Sequence, residues 1–74
     1  MAIEYTEHAK LRMKHRTILK SDVEEAILHP YFTVSSRLGR FIAVKEYGEK
    51  YLKVIYEKSN DKITVVTVYW TRRP

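Results

Sequence analysis

The stretch SDVEEAILHPYFTVSS, residues 21–36, changes its period midway, and that change sets the fold class. Up to His29 the apolar residues Val23, Ala26 and Ile27 recur at helical spacing. Ser21 and Glu24 read as a capping box at the start, and Pro30 follows the end. From Tyr31 the residues become aromatic and β-branched, the composition of a strand. Towards the N-terminus, EHAKLRMKHR (residues 7–16) reads as another helix of about ten residues, capped by Thr6, with Glu7 at the positive end of its dipole. Towards the C-terminus, RFIAVKEY and KYLKVIYEK flank Gly48-Glu49, a hairpin signal. SND (residues 59–61) marks a further turn. KITVVTVYW follows, apolar on both faces and therefore expected centrally in the sheet. The order predicts an α+β domain: two N-terminal helices packed on one face of an antiparallel sheet of about four strands.

With 74 residues the chain is read as one domain, residues 1–74. A core this small is marginal, and domains below ~80 residues are often strengthened by a disulfide, a metal or a partner subunit. There is no cysteine, which removes disulfides and thiolate zinc sites and fits a reducing cytoplasm. His8, His15 and His29 lack zinc-finger spacing, so no metal or cofactor is expected, and a homodimer is one way to enlarge the core. Fourteen Lys+Arg against nine Asp+Glu give a net charge of +5, which biases the domain towards polyanions. No apolar run approaches the ~18 residues of a membrane span, so no membrane partner is expected.

On a helical wheel His8, Ala9, Arg12 and Met13 fall broadly opposite Glu7, Lys10 and Lys14, with Leu11 flanking the inward side. His8 and Arg12, one turn apart, are thus expected to face the sheet. An inward guanidinium needs an anion, because burying it unpaired is costly. An internal carboxylate, Glu46 or Glu57, would make an ordinary ion pair; a ligand phosphate would suit the planar fork of arginine. A neutral imidazole beside it is a competent general base. A lone histidine is nonetheless more often packing than catalysis. Thr67 and Tyr69, two apart on the last strand, point the same way and can both donate to phosphate oxygens, although both residue types are also ordinary in strands.

The His-x-x-x-Arg helix, the helix SDVEEAILHP, the Gly39-Arg40 step and TVVTVYW together resemble the small RelE/ParE-like toxins of the barnase–EndoU–colicin–RelE superfamily, in particular those with an N-terminal H-A-x-x-R-M helix. The resemblance covers nearly the whole chain in order and length. It implies a metal-independent endoribonuclease, often the toxin partner of a cognate antitoxin, with His8, Arg12, Thr67 and Tyr69 as catalytic residues. RNA supplies its own nucleophile in such a reaction, the 2′-hydroxyl. Arg16, Lys45, Lys53, Arg72 and Arg73 are candidates for backbone contacts, and Tyr31, Phe32, Tyr47 or Trp70 for base stacking. Packing is the commoner fate of such aromatics; Trp70 in particular would seal a core edge. The chain departs from better-known RelE toxins, which carry a basic cluster on the strands and a C-terminal extension. Two other readings remain: a ParE-like toxin that binds a protein target without cutting RNA, and a non-catalytic RNA-binding module.

Overall fold

A computed structural model describes residues 2–74. The chain runs β1 (Ala2–Tyr5), α1 (Glu7–Arg16), α2 (Lys20–Leu28), β2 (Phe32–Ser35), a short 3-10 turn (Arg37–Gly39), β3 (Arg40–Tyr47), β4 (Lys50–Ser59) and β5 (Lys62–Thr71). The sheet has five strands in the order β1-β5-β4-β3-β2. All neighbours are antiparallel except β1 and β5, which are parallel. The α+β class and two-helix arrangement follow the sequence reading; the strand set does not. AIEY, ahead of the helices, forms an additional edge strand, so the sheet is mixed. β5 is interior as expected, but β4 holds the centre.

Thr6 caps α1 as its residue type demands. Its Oγ1 accepts from the Ala9 N–H at 3.1 Å and donates to the Val66 carbonyl at 2.8 Å. Val66 is the extra residue where the β4–β5 register slips, since Tyr56 opposes Val65 while Ile55 opposes Thr67. One hydroxyl therefore starts the helix and ties it to the point where β1 stops. α2 is capped differently from expectation. It begins at Lys20, behind Leu19, and Asp22 Oδ2 accepts the Leu19 N–H at 3.0 Å. Ser21 lies inside the first turn and is not the cap. The turns follow the sequence: Gly48 (φ 65°) joins β3 to β4, and Asn60 (φ 53°) joins β4 to β5, the residue types that best tolerate left-handed backbone.

α2 packs across β3 and β4, and α1 along β5. Beneath them Ala43, Leu52, Val54, Tyr56, Ile63, Val65 and Val68 meet Ala9, Met13, Ile18, Val23, Ala26 and Ile27. Each fully buried aliphatic side chain contributes about 1.5–3 kcal/mol relative to exposure. The helices cover only this face, so alternate strand residues point to a second, helix-free face.

Candidate nucleic-acid interface

Strand register lays out the helix-free face as a grid. Ile42, Ile55 and Thr67 form one row across β3, β4 and β5; Val44, Lys53 and Tyr69 the next; Glu46, Tyr51 and Thr71 the third. β2 extends the first two rows with Val34 and Phe32. Tyr31 joins this face just before β2: its N–H donates to the Val44 carbonyl at 2.7 Å. Its ring lies 5.5 Å from that of Phe32 and 6.1 Å from that of Tyr51. Val44 is only 1% exposed yet stands outside the cluster beneath the helices, so the platform has a small apolar centre of its own.

Lys53 is the cation of this surface. It is half-buried between Val44 and Tyr69 and has no ion-pair partner among the described residues. An ammonium beside phenols and a threonine hydroxyl is a natural seat for a phosphate oxygen. Thr67 and Tyr69 share this face with it. The carboxylate of Glu57, at the far end, is held by Arg40 at 2.9 Å. Glu46 is exposed in the third row.

α1 is turned relative to expectation. Ala9 and Met13 define its buried line, Arg12 is half-buried, His8 is exposed and Leu11 is 55% exposed. Relative to the wheel drawn from the sequence this is a rotation of about 50°. Apolar Ala9 and Met13 take the core-facing direction, and the polar pair moves out because desolvating an unpaired guanidinium or imidazole costs free energy. His8 therefore does not face the sheet, and Leu11 does not flank the core. Arg12 has no hydrogen bond or ion pair among the described residues, and neither Glu46 nor Glu57 holds it. The helix carrying His8 and Arg12 packs along the strand carrying Thr67 and Tyr69, but on the covered face, whereas Thr67 and Tyr69 point to the helix-free face, so the fold does not bring the four together on one side of the sheet.

The remaining candidates divide. Arg16 is exposed at the end of α1, and Arg72 and Arg73 are exposed after β5. Lys45 belongs to the helix side. Its Nζ donates to the His29 carbonyl at 2.8 Å and lies 3.9 Å from Glu25, so it ties α2 to β3 and is not free for a phosphate. Trp70 and Tyr47 also face the helix side, in edge contact at 5.6 Å, with the Lys50 ammonium 4.2 Å over the indole. Trp70 thus seals the core margin, beside a cavity of about 370 Å³ lined by Tyr47, Glu49, Lys50 and Arg72. Burial, then Asp22 and Glu25, raise the Tyr47 phenol above its ordinary pKa. Sequence reasoning missed Tyr51, although its step of two from Lys53 places it on the same face.

No helix is long and apolar enough to cross a membrane among the described residues. Neither the curated proteins nor the solved structures compared with the chain gave a match. Residues 5–70 match the family model described as a domain of unknown function, DUF4258. That match takes in both helices, the whole of β2, β3 and β4, β5 up to Trp70, and every platform residue named above except Thr71, and the chain belongs to this family.

Proposed function

We propose that this domain binds single-stranded RNA across the helix-free face and cleaves it, acting as an endoribonuclease toxin with a cognate antitoxin. The observation that carries the reading is Lys53, a half-buried cation with no ion-pair partner among the described residues, flanked by Tyr69 and Thr67 and bordered by Tyr31, Phe32 and Tyr51. Flat aromatic rings beside a cation bind unpaired bases and their phosphates together. The +5 net charge adds long-range attraction.

Cleavage rests on the RelE-type resemblance, in which a helix His and Arg act with a Thr and a Tyr of a late strand. A base removes the 2′-hydroxyl proton, the 2′-oxygen attacks phosphorus, the bond to the 5′-oxygen breaks, and that oxygen takes up a proton. The products are a 2′,3′-cyclic phosphate and a 5′-hydroxyl. Arg12 neutralises charge on the phosphoryl oxygens. Thr67 donates to a non-bridging oxygen. His8 and Tyr69 carry the two proton transfers, the phenol being the better acid. Since His8 stands exposed on α1 over the covered face while Thr67 and Tyr69 point to the other, the RNA strand must turn round the β5 margin beyond Val65, where β1 no longer pairs, to meet both pairs of residues. That exposure is also what favours a second reading, RNA binding without cleavage. The exposed Val34 and Leu38 favour a third, a ParE-like toxin that binds a protein target.

The test uses a labelled single-stranded RNA and its DNA counterpart in EDTA, with wild type, His8→Ala, Arg12→Ala, Thr67→Ala and Lys53→Ala. Expected is RNA cleavage to cyclic-phosphate ends and intact DNA. His8→Ala is expected to lose about 10²–10⁴-fold in rate, and Arg12→Ala about 10²–10³-fold. Cleavage that persists in all four variants, or appears only on adding metal, overturns the mechanism. Salt-sensitive RNA binding without products leaves the binding module. No RNA binding at low salt overturns both.

A further inference from the structure

We infer that the β2 edge is a self-pairing surface, joining two copies of this chain through antiparallel β2 strands into one continuous sheet. This is independent of the RNA reading. The two edges of the sheet differ. On β1, Glu4 pairs with Lys62 at 3.6 Å and places charge along that margin. β2, by contrast, is exposed over its whole length and contains neither a charged residue nor proline, the usual protections of a free edge. The Ser36 N–H donates to the Arg40 carbonyl at 2.7 Å, which fixes the parity: Val34 bonds towards β3, while Thr33 and Ser35 direct their N–H and C=O groups outwards.

That parity is self-complementary. A two-fold axis through Val34 sets Thr33 of each copy against Ser35 of the other. Both are hydrogen-bonding positions, so the outward groups of each copy are satisfied by the other. Val34, 47% exposed, meets its own symmetry mate across a non-hydrogen-bonded pair. Charge selects the occupant. The chain carries +5, but residues 30–36 carry none, so two cationic copies can approach here without facing like charges. An acidic peptide would find no cation along this strand. In the same register Arg37, the first charge beyond it, falls at the level of Tyr31 of the second copy and not of another cation. An isologous contact of this kind closes as a dimer, where a head-to-tail edge contact would run on into a fibre. It also extends the helix-free face, on which Val34 and Phe32 lie, across both copies.

Two measurements test the inference. In sedimentation equilibrium the wild type is expected to move from 8.8 kDa towards twice that mass with concentration. Thr33→Pro, which deletes an outward N–H, and Val34→Lys, which sets two ammonium groups face to face, should stay monomeric with unchanged far-UV circular dichroism. Because the chain has no cysteine, Val34→Cys supplies a probe that does not depend on those variants folding. Facing residues in a non-hydrogen-bonded pair lie about 4.5 Å apart, within disulfide range. Val34→Cys should oxidise to a covalent dimer at least tenfold faster than Leu38→Cys, a collision control that is 93% exposed. A wild type monomeric at all concentrations with equal oxidation rates overturns the inference and leaves the edge to another chain. A dimer whose mass survives both edge variants places the contact elsewhere and overturns it too.

Discussion

The two faces of the sheet are made from the same strands, yet they obey different constraints. On the covered face Leu52, Val54 and Val68 are fully buried under two helices, and Tyr47, Tyr56 and Trp70 close its margins. On the free face the intervening residues include Lys53, Thr67 and Tyr69, with Val44 as the one fully buried aliphatic. A period of two lets one strand serve both, so stability and recognition can be separated residue by residue. Neighbouring substitutions in β4 should therefore act on different observables. Leu52→Ala removes a large side chain from the core and should cost about 2–5 kcal/mol in urea denaturation. Lys53→Ala, one residue on, should change stability by less than about 1 kcal/mol while weakening RNA binding and lowering its salt dependence. Equal losses of stability at both positions would show that the two faces are not separable.

The next largest effect belongs to the platform aromatics. Tyr51→Ala should weaken single-stranded RNA binding by about 1–3 kcal/mol in fluorescence anisotropy if its ring stacks on a base. Trp70→Ala, on the covered face, should lose stability instead and leave the affinity of the folded fraction nearly unchanged. The reverse pattern would move RNA to the cavity beside Lys50 and Arg72.

The same contrast explains what the sequence made legible. The covered face is written in apolar periodicity, so α1, α2, the β3–β4 hairpin and β5 could be read directly, as could the Thr6 cap. β1 could not. AIEY is four residues long, and its parallel pairing with β5 is a tertiary event sixty positions away. The direction of α1 was misread for a different reason. The wheel set by Glu7, Lys10 and Lys14 puts His8 and Arg12 inward together with Ala9 and Met13, whereas desolvation turns it towards Ala9 and Met13. Lys45 and Lys53 look alike in sequence, but an even step along the hairpin separates a lysine tying α2 to β3 from one exposed to a ligand. Thr67 and Tyr69 were placed on one face by their spacing, and register agrees. That α1 lies on the opposite face of the sheet from them depends on packing and was not legible.

Helix caps give a smaller and sharper comparison. Thr6→Ala breaks both the N-cap of α1 and the hydroxyl contact with Val66, and should cost about 0.5–2 kcal/mol in denaturation. Asp22→Ala removes the acceptor of the Leu19 N–H at the start of α2 and should cost about 1 kcal/mol. Ser21→Ala should be within about 0.5 kcal/mol of wild type, since Ser21 is exposed inside the first turn and alanine is the better helix former. A large loss at Ser21 would restore the capping box expected from the sequence.

The smallest effect separates the faces by pH. Tyr5, Tyr47 and Tyr56 all belong to the covered side, and burial raises each phenol above its ordinary pKa, with Glu24 adding to it at Tyr5 and Asp22 and Glu25 at Tyr47. A group raised in the folded state contributes its stability in full below the unfolded pKa of about 10 and loses it as pH rises through the native value. Urea midpoints should therefore hold steady up to about pH 10 and fall beyond it. Tyr5→Phe tests the origin of that fall at a single residue. The Tyr5 hydroxyl is buried without a hydrogen-bond partner, so its removal should leave stability at neutral pH unchanged or slightly higher. Above pH 10 the variant should lose less than wild type, because one phenol that must ionise in the covered face is gone. A variant that weakens at neutral pH would show that the hydroxyl is held by water, and that Tyr5 belongs to the wetted margin of the core.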